Sequence, residues 1–488
     1  MRSSGIILVA FVLLVTAIGF YASRWRGGRV DSMDEWALGG RSFGTIVSWF
    51  LIGGDLYTAY TFIAVPALMY GTGGFAFFAV PYVTIVYPFA IVVLTRFWSI
   101  ARERSYVTTA DFVRDRYGDR WLELVIAVTG VVAILPYIAL QVIGMKTIFL
   151  QLGGPLAANG GMLALVCAVA LLAAYTYTSG LRAPALIAFV KDTLIYVTMI
   201  AAVVVVTVKF GGWASIFDAA AKGLGTRPQP GSLFLPAQLQ FAYASLAFGS
   251  AVALFLYPHS ITSLLASKSR SVVRRNMSLL PAYSLLLGLL ALLGYAAIAA
   301  GISTDNTTLV IPLLFSRIFP DWFVGIGYSA IAIGALVPAA IMAIGGANLF
   351  ASNIFNEFGG DRGLEAREAR FVALGICLAA LLFVFFVNPK YAIYLQFLGT
   401  ALILQIVPAF VFGLFTGWFR PKALLAGWTV GVAAATMMAI ATNFTANFPL
   451  PLFGTHLIGY SALYALVLNL GVSAAATLLL RVSRAFAT

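Results

Sequence analysis

The sequence predicts an all-α polytopic membrane protein, a bundle of thirteen transmembrane helices, and three observations predict it. Of 488 residues, 61% are hydrophobic and only 10% charged, where a soluble domain carries about 25% charged residues. The apolar residues form continuous runs of about 20, the length that crosses the hydrocarbon core, and not the short alternating strands of a β-barrel. The cationic residues collect in the short connections between runs. A net charge of +13 therefore reads as membrane orientation rather than nucleic-acid binding.

The runs lie near 4–23, 45–71, 75–98, 121–151, 162–181, 184–210, 238–266, 277–301, 323–356, 371–388, 391–418, 423–443 and 456–480. The first continues as "FYASRWR", too long for a signal h-region and without a small-residue cleavage site, so it reads as a retained helix. Alternate connections differ sharply in charge. One set holds 22 of the 30 Lys and Arg residues, among them Arg24 to Arg41, Arg96 to Arg120, Lys268 to Arg275 and Arg362 to Arg370. The other set holds seven: Arg2, Lys146, Lys209, Lys222, Arg227, Arg317 and Lys390. The positive-inside rule then puts the N-terminus outside and the C-terminus in the cytoplasm, which an odd number of helices allows. A multi-pass protein of a prokaryotic inner membrane is expected, as a monomer. Cys167 and Cys377 fall in apolar runs and read as inert core thiols. Two histidines and no metal-ligand spacing leave no basis for an enzyme, a metal site or a cofactor.

Helices 2–6 (45–210) and 7–11 (238–418) divide the chain into two halves of five. They follow a first helix and loop (1–44) and precede two C-terminal helices (419–488). Helix 2 is interrupted by Gly53-Gly54 and Pro66, and helix 7 by Gly249 and Pro258. Paired interruptions in corresponding helices of two inverted halves point to a transporter's binding site. Glycine and proline are also common in membrane helices as simple bends. A channel would not need such paired breaks.

One residue, Lys191, belongs to neither set of connections. It lies with Asp192 inside the apolar run "IAFVKDTLIY" (187–196), about 13 Å along the helix from Arg182. The lysine either snorkels toward an interface, pairs with an acid on another helix, or carries a proton in alternate states. Intramembrane ionisable groups are functional candidates by default. Adjacent side chains leave a helix about 100° apart, so Asp192 is not expected to pair with Lys191. Asp55, after Gly53-Gly54, is the expected partner, with N-capping of the second half of helix 2 as its simpler role.

Several stretches together resemble the solute:sodium symporter family over nearly the whole chain. They are "WALGGRSFG" (36–44), "TTADFVRDRYGDR" (108–120), "YIALQVIG" (137–144), "YTSGLRAPA" (177–185), "LYPHSITSLLASKS" (256–269) and "LFASNIFNEF" (349–358). "YTAYTFIAVPALMYGTGG" (57–74) and "FLYPHS" (255–260) look most like the bacterial monocarboxylate permease branch. The resemblance implies a LeuT-like fold of two inverted five-helix repeats. It also implies secondary active symport of a small acid such as lactate or pyruvate, with alanine in some members.

Sodium-coupled members hold Na⁺ between the break in helix 2 and a hydroxyl pair in helix 9. Here that pair falls on Val337-Pro338, and no Ser or Thr occurs from Ala330 to Gly346. Hard cations need oxygen ligands, and these residues offer no side-chain oxygen. The family's Thr-Asp pair in helix 6 falls on Ile187-Ala188, and its nearby Gln on Lys191. The resemblance thus implies an ammonium group in place of sodium, among Gly53, Asp55 and Leu56 on helix 2 and Gly334, Val337 and Pro338 on helix 9. A proton becomes the expected coupling ion. Sodium-coupled uptake of a small organic solute or amino acid, and sodium-independent exchange, are the competing readings.

A monocarboxylate needs donors and a positive dipole end near the bilayer midplane. An unwound segment Gly53 to Tyr57 would offer amides, Gly54 included, and Tyr57, Thr58 and Tyr60 hydroxyls. Gln141, Tyr257, His259 and Gln396 are further polar candidates, with His259 as a hydrogen-bonding gate residue and Phe248 as a wall of the cavity.

Overall fold

A computed structural model describes residues 2–25, 32–153, 157–227, 231–359, 365–386, 392–452 and 454–485. Its spans are α1 (Ser3–Arg24), α2 in two parts, α2a (Thr45–Leu56) and α2b (Tyr60–Thr72), α3 (Gly74–Arg104), α4 (Arg120–Leu152), α5 (Met162–Ser179) and α6 (Arg182–Lys209). The second set is α7 in two parts, α7a (Gln240–Leu254) and α7b (Pro258–Leu265), then α8 (Arg270–Ala299), α9 (Asp321–Phe358), α10 (Glu365–Phe386), α11 (Gln396–Phe415), α12 (Pro421–Ala441) and α13 (Ser461–Ser483). Twelve are long and apolar enough to cross a membrane, and α2 as one bent span makes thirteen, as the hydropathy predicts. Arg26, Arg29, Arg362 and Lys390, and the predicted end of helix 10 and start of helix 11 at 388 and 391, lie outside the described residues.

The centre of the bundle is α9. From Gly327 to Leu349 every residue is buried, and α1, α4, α6, α7b and α10 pack around it. This stretch has no Asp, Glu, Lys, Arg or His, so complete enclosure costs no charge desolvation. Small residues set its distances. A Cβ on Gly345 would lie 2.7 Å from the His259 amide nitrogen and 2.8 Å from the Pro258 carbonyl carbon, so glycine there brings α7b backbone against α9.

Both predicted breaks exist, displaced from the glycines. Gly53 and Gly54 are inside α2a, and the chain unwinds at Tyr57–Ala59, with a 46° bend between the halves. The glycines serve close approach instead: a Cβ at Gly53 would meet Leu280 and Tyr283 at 3.3 Å. Pro66 lies within α2b, after an opening π turn, Tyr60–Ala64. In α7 the break is Phe255–Tyr257, and Pro258 opens α7b as a first-turn proline. Gly249 is helical and faces the Tyr460 ring, 2.7 Å from where its Cβ would be.

The stretch 447–460 is a β-hairpin, which corrects the predicted start of helix 13 at 456. β1 (Asn447–Leu452) pairs antiparallel with β2 (Thr455–Tyr460). Pro449 and Pro451, two apart, cannot join a helix interior. Cys167 is exposed on the outer surface of α5, unlike buried Cys377, so only the latter is a core thiol.

At the end of the bundle where cationic connections gather, arginines are tied to acids. Arg41 meets Asp34 at 2.9 Å, Arg104 meets Asp115 at 3.5 Å, Arg114 meets Glu123 at 3.6 Å and Arg120 meets Glu357 at 2.5 Å; buried Arg182 pairs with Glu35. Buried Asn353, in the π stretch of α9, accepts from Thr108 Oγ1 (2.8 Å). It donates to Asp111 (2.7 Å) and Glu123 (3.0 Å), joining the α3–α4 connection to α9.

Candidate functional site

The break in α2 leaves helix-end groups that need partners, and side chains supply them. Gln141 on α4 accepts from the Ala59 amide at 2.8 Å, Thr58 Oγ1 accepts from the Tyr60 amide at 3.1 Å, and Thr61 Oγ1 donates to the Leu56 carbonyl at 3.0 Å. Thr58 and Gln141 therefore cap α2b, and Asp55 does not. The Tyr57 hydroxyl donates to the Tyr283 carbonyl of α8 at 2.5 Å, so its ring packs outward from the break. Replacing Gln141 with Leu strands the buried Ala59 amide, a loss of about 1–3 kcal/mol. We expect a lower unfolding temperature in detergent and weaker substrate binding; an unchanged protein would refute the capping role.

Carbonyls on the other side of the break face Lys191. Its Nζ donates to the Gly54 carbonyl at 2.5 Å and the Tyr57 carbonyl at 3.2 Å. Gly54 admits it: a Cβ there would stand 3.2 Å from Nζ. The amine does not snorkel, being fully buried with its reach spent inward. Its acidic partner is Asp192, with Oδ1 3.0 Å from Nζ and both residues 0% exposed. That corrects the expectation from helix geometry. The two Cβ atoms diverge, but the four-carbon lysine stem swings the amine back over its neighbour. Among the described residues neither Asp192 oxygen has a well-aligned hydrogen bond, so the pair is ionic contact rather than a satisfied network. On α9, Gly334 faces Phe62 and Ile195, and Val337 and Pro338 are buried. None of the three offers a side-chain oxygen.

Asp55 turns away from Lys191, toward α7b. Its Oδ2 accepts from Ser260 Oγ at 3.1 Å and lies 3.5 Å from His259 Nε2. Its Oδ1 has no hydrogen-bond partner among the described residues. The predicted Asp55–Lys191 pair is thus replaced by two separate units, Lys191–Asp192 on α6 and Asp55–His259–Ser260 between α2a and α7b. His259 is held between the Tyr137 and Tyr257 rings, 5.5 and 5.3 Å centre to centre.

Between the two breaks is a cavity of about 30 Å³, lined by Tyr60, Tyr82, Tyr137, Tyr257, Gln396 and Thr400, with Phe397 and Ser250 at its edge. It is room for about one water, too little for a three-carbon acid in this conformation. Tyr60 and Tyr257 stand at the starts of α2b and α7b, placing the positive ends of both half-helices at the cavity. Tyr257 and Thr400 hydroxyls lie 3.1 Å apart, and the Gln396 side-chain oxygen has no partner among the described residues.

Of the predicted substrate residues, Tyr60, Tyr257 and Gln396 line the cavity. Gly54, Tyr57, Thr58 and Gln141 build the break behind it, and His259 backs its tyrosines. Phe248 is 53% exposed on the bundle surface and does not line it; Phe397 does. Tyr137 and Thr400 escaped sequence reasoning, yet each is four residues from a predicted glutamine, Gln141 or Gln396, and so shares its helix face.

The family model described as "Sodium:solute symporter family" matches residues 36–431. A "Monocarboxylate transport permease protein" of Rhizobium johnstonii is 47% identical over 482 residues, 97% of this chain and 96% of that protein. An "Uncharacterized symporter", YodF of Bacillus subtilis, is 34% identical across 90% of this chain and 88% of its own length. Among solved structures, a substrate-bound, outward-open Na⁺-coupled sialic acid symporter superposes with a TM-score of 0.79 at 13% identity, covering 98% of both chains. That likeness shows the LeuT-like fold.

Proposed function

The chain belongs to the sodium:solute symporter family, and from that premise we propose that it imports small monocarboxylates of the lactate and pyruvate type across a bacterial inner membrane, coupled to protons through Lys191. The N-terminus faces outside, the C-terminus faces the cytoplasm, and a monomer works by alternating access. One observation carries the coupling. The Lys191 amine lies on the Gly54 and Tyr57 carbonyls at the α2 break, and the family resemblance puts buried Val337-Pro338 of α9 where a sodium site would need hydroxyls. A protonated amine fills that cation position; loss of the proton frees the carbonyls and releases α6 from α2a. The 47% identical permease supports the substrate class, as does a cavity of neutral hydroxyl donors at two positive helix ends.

Proteoliposomes given labelled lactate or pyruvate test both parts. An inside-alkaline pH gradient is expected to drive accumulation, and an inward sodium gradient at equal pH is not. Accumulation driven by sodium alone would establish the sodium-coupled reading that the family and the sialic acid symporter suggest. Thermal stabilisation by lactate, pyruvate, acetate, propionate and alanine, compared side by side, ranks the substrates.

A further inference from the structure

The start of α8 is charged in a way that the transport site does not use. Arg270, Arg274 and Arg275 occupy its first two turns, beside Lys268, and all are exposed. Cations oppose the positive pole of a helix N-terminus, yet this first turn holds no acid. Five other arginines at this end of the bundle, Arg41, Arg104, Arg114, Arg120 and Arg182, have carboxylate partners. Among the described residues, Arg270, Arg274 and Arg275 have no ion pair and no side-chain hydrogen bond to another residue. Three guanidiniums and a helix pole are left facing one surface depression with the hydroxyls of Ser271 and Ser278.

The same helix face continues in a definite order. Ser271, Arg275, Ser278, Ala282 and Leu285 follow at intervals of four and three residues, so they lie on one stripe, and all are exposed. Leu279 and Leu285 are 49% and 71% exposed. The 30 residues of α8 span about 45 Å, longer than the ~30 Å hydrocarbon core, which leaves the first turns at headgroup depth. Along this stripe the surface passes from guanidinium to hydroxyl to bare hydrocarbon, the order of polarity from phosphate to acyl chain in a phospholipid.

We propose that the N-terminal two turns of α8 form a binding site for an anionic phospholipid, its phosphate held by Arg270, Arg274 and Arg275 and its chains laid along Leu279 and Leu285. Guanidinium groups suit this ligand because their paired N–H donors match phosphate oxygens, and basic pockets at the membrane interface take such headgroups. The site compensates charges that the protein leaves uncompensated.

Native mass spectrometry of the full-length protein in detergent tests this, with phosphatidylglycerol, phosphatidylcholine or inorganic phosphate as probes. The wild type is expected to retain one phosphatidylglycerol and no phosphatidylcholine. The triple variant Arg270→Gln/Arg274→Gln/Arg275→Gln should retain at least tenfold less. A control triple, Arg102→Gln/Arg116→Gln/Lys422→Gln, removes the same charge from other exposed positions and should bind as the wild type does. Equal loss in both triples would reduce the effect to net charge and overturn the site. Retention unchanged in the α8 triple would overturn it directly. Displacement of the lipid by millimolar inorganic phosphate would assign the arginines to a free anion and refute the lipid.

Discussion

Vesicles carrying the double variant Lys191→Met/Asp192→Leu are expected to exchange labelled substrate across the membrane but not to accumulate it under a pH gradient. The reason for a double variant is the buried pair itself. Lys191→Ala alone leaves Asp192 as an uncompensated charge among apolar walls, and breaking a buried pair in this way costs ~3–5 kcal/mol. A failure of that single variant would report misfolding, not mechanism. Replacing both partners with apolar groups of similar volume is often neutral or stabilising, so the double variant should fold and bind. What it lacks is the Lys191 amine on the Gly54 and Tyr57 carbonyls. The measurement is the ratio of driven uptake to exchange; a double variant that still concentrates substrate tenfold down a pH gradient sinks the coupling role of Lys191.

Gly345→Ala should be the most damaging single methyl in α9, and its neighbour provides the comparison. A Cβ at Gly345 would meet the His259 nitrogen and Cα and the Pro258 carbonyl carbon at 2.7–2.8 Å. These are backbone atoms at the start of α7b, with no rotamer to yield. A Cβ at Gly346 would meet the Ile376 Cδ1 at 2.9 Å, the free end of a side chain that can turn away. Overpacking typically costs about 1–3 kcal/mol, and Gly345→Ala belongs at the upper end because α7b must move as a body. It carries His259 and Ser260, the partners of Asp55, so substrate affinity should fall with stability. Thermal unfolding in detergent, paired with uptake kinetics, separates the two variants. Equal effects at 345 and 346 would contradict the close α7b contact.

Thirteen spans could be read from hydropathy because bilayer thickness dictates run length, and that signal is local. The breaks in α2 and α7 were legible only as regions. Glycine and proline mark where a helix is weak or tight, and both meanings occur here: Gly53, Gly54 and Gly249 are contacts, while unwinding falls at Tyr57–Ala59 and Phe255–Tyr257. Which meaning applies depends on what packs against the glycine, and Leu280, Lys191 and Tyr460 come from distant parts of the chain. Lys191 was legible as the exceptional residue, and its placement on α2 was reached through the family resemblance. Its pairing with Asp192 was not, since Cβ directions do not report where a long stem ends. Asp55 was singled out for the wrong neighbour, because Ser260 and His259 lie about 200 positions away and nothing local links them. Tyr137 and Thr400 could have been found by extending the helical stripe of each glutamine by one turn.

Tyr460 ends the β-hairpin just before α13, outside the two five-helix halves, yet it reaches α7a and α11. Its amide donates to Ser245 Oγ at 2.9 Å on α7a, its hydroxyl donates to the Phe397 carbonyl at 3.4 Å on α11, and its ring fills the space left by Gly249. The last two helices are therefore not ballast appended to a complete machine. If α7a and α11 move relative to each other, Tyr460 must travel with one of them or let go of the other, and the hairpin would then act as a tether on that motion. Relatives could exchange hairpin tips around Gly454 freely, but a graft that shifts Tyr460 by one position would detach the tether and change how far the cavity opens.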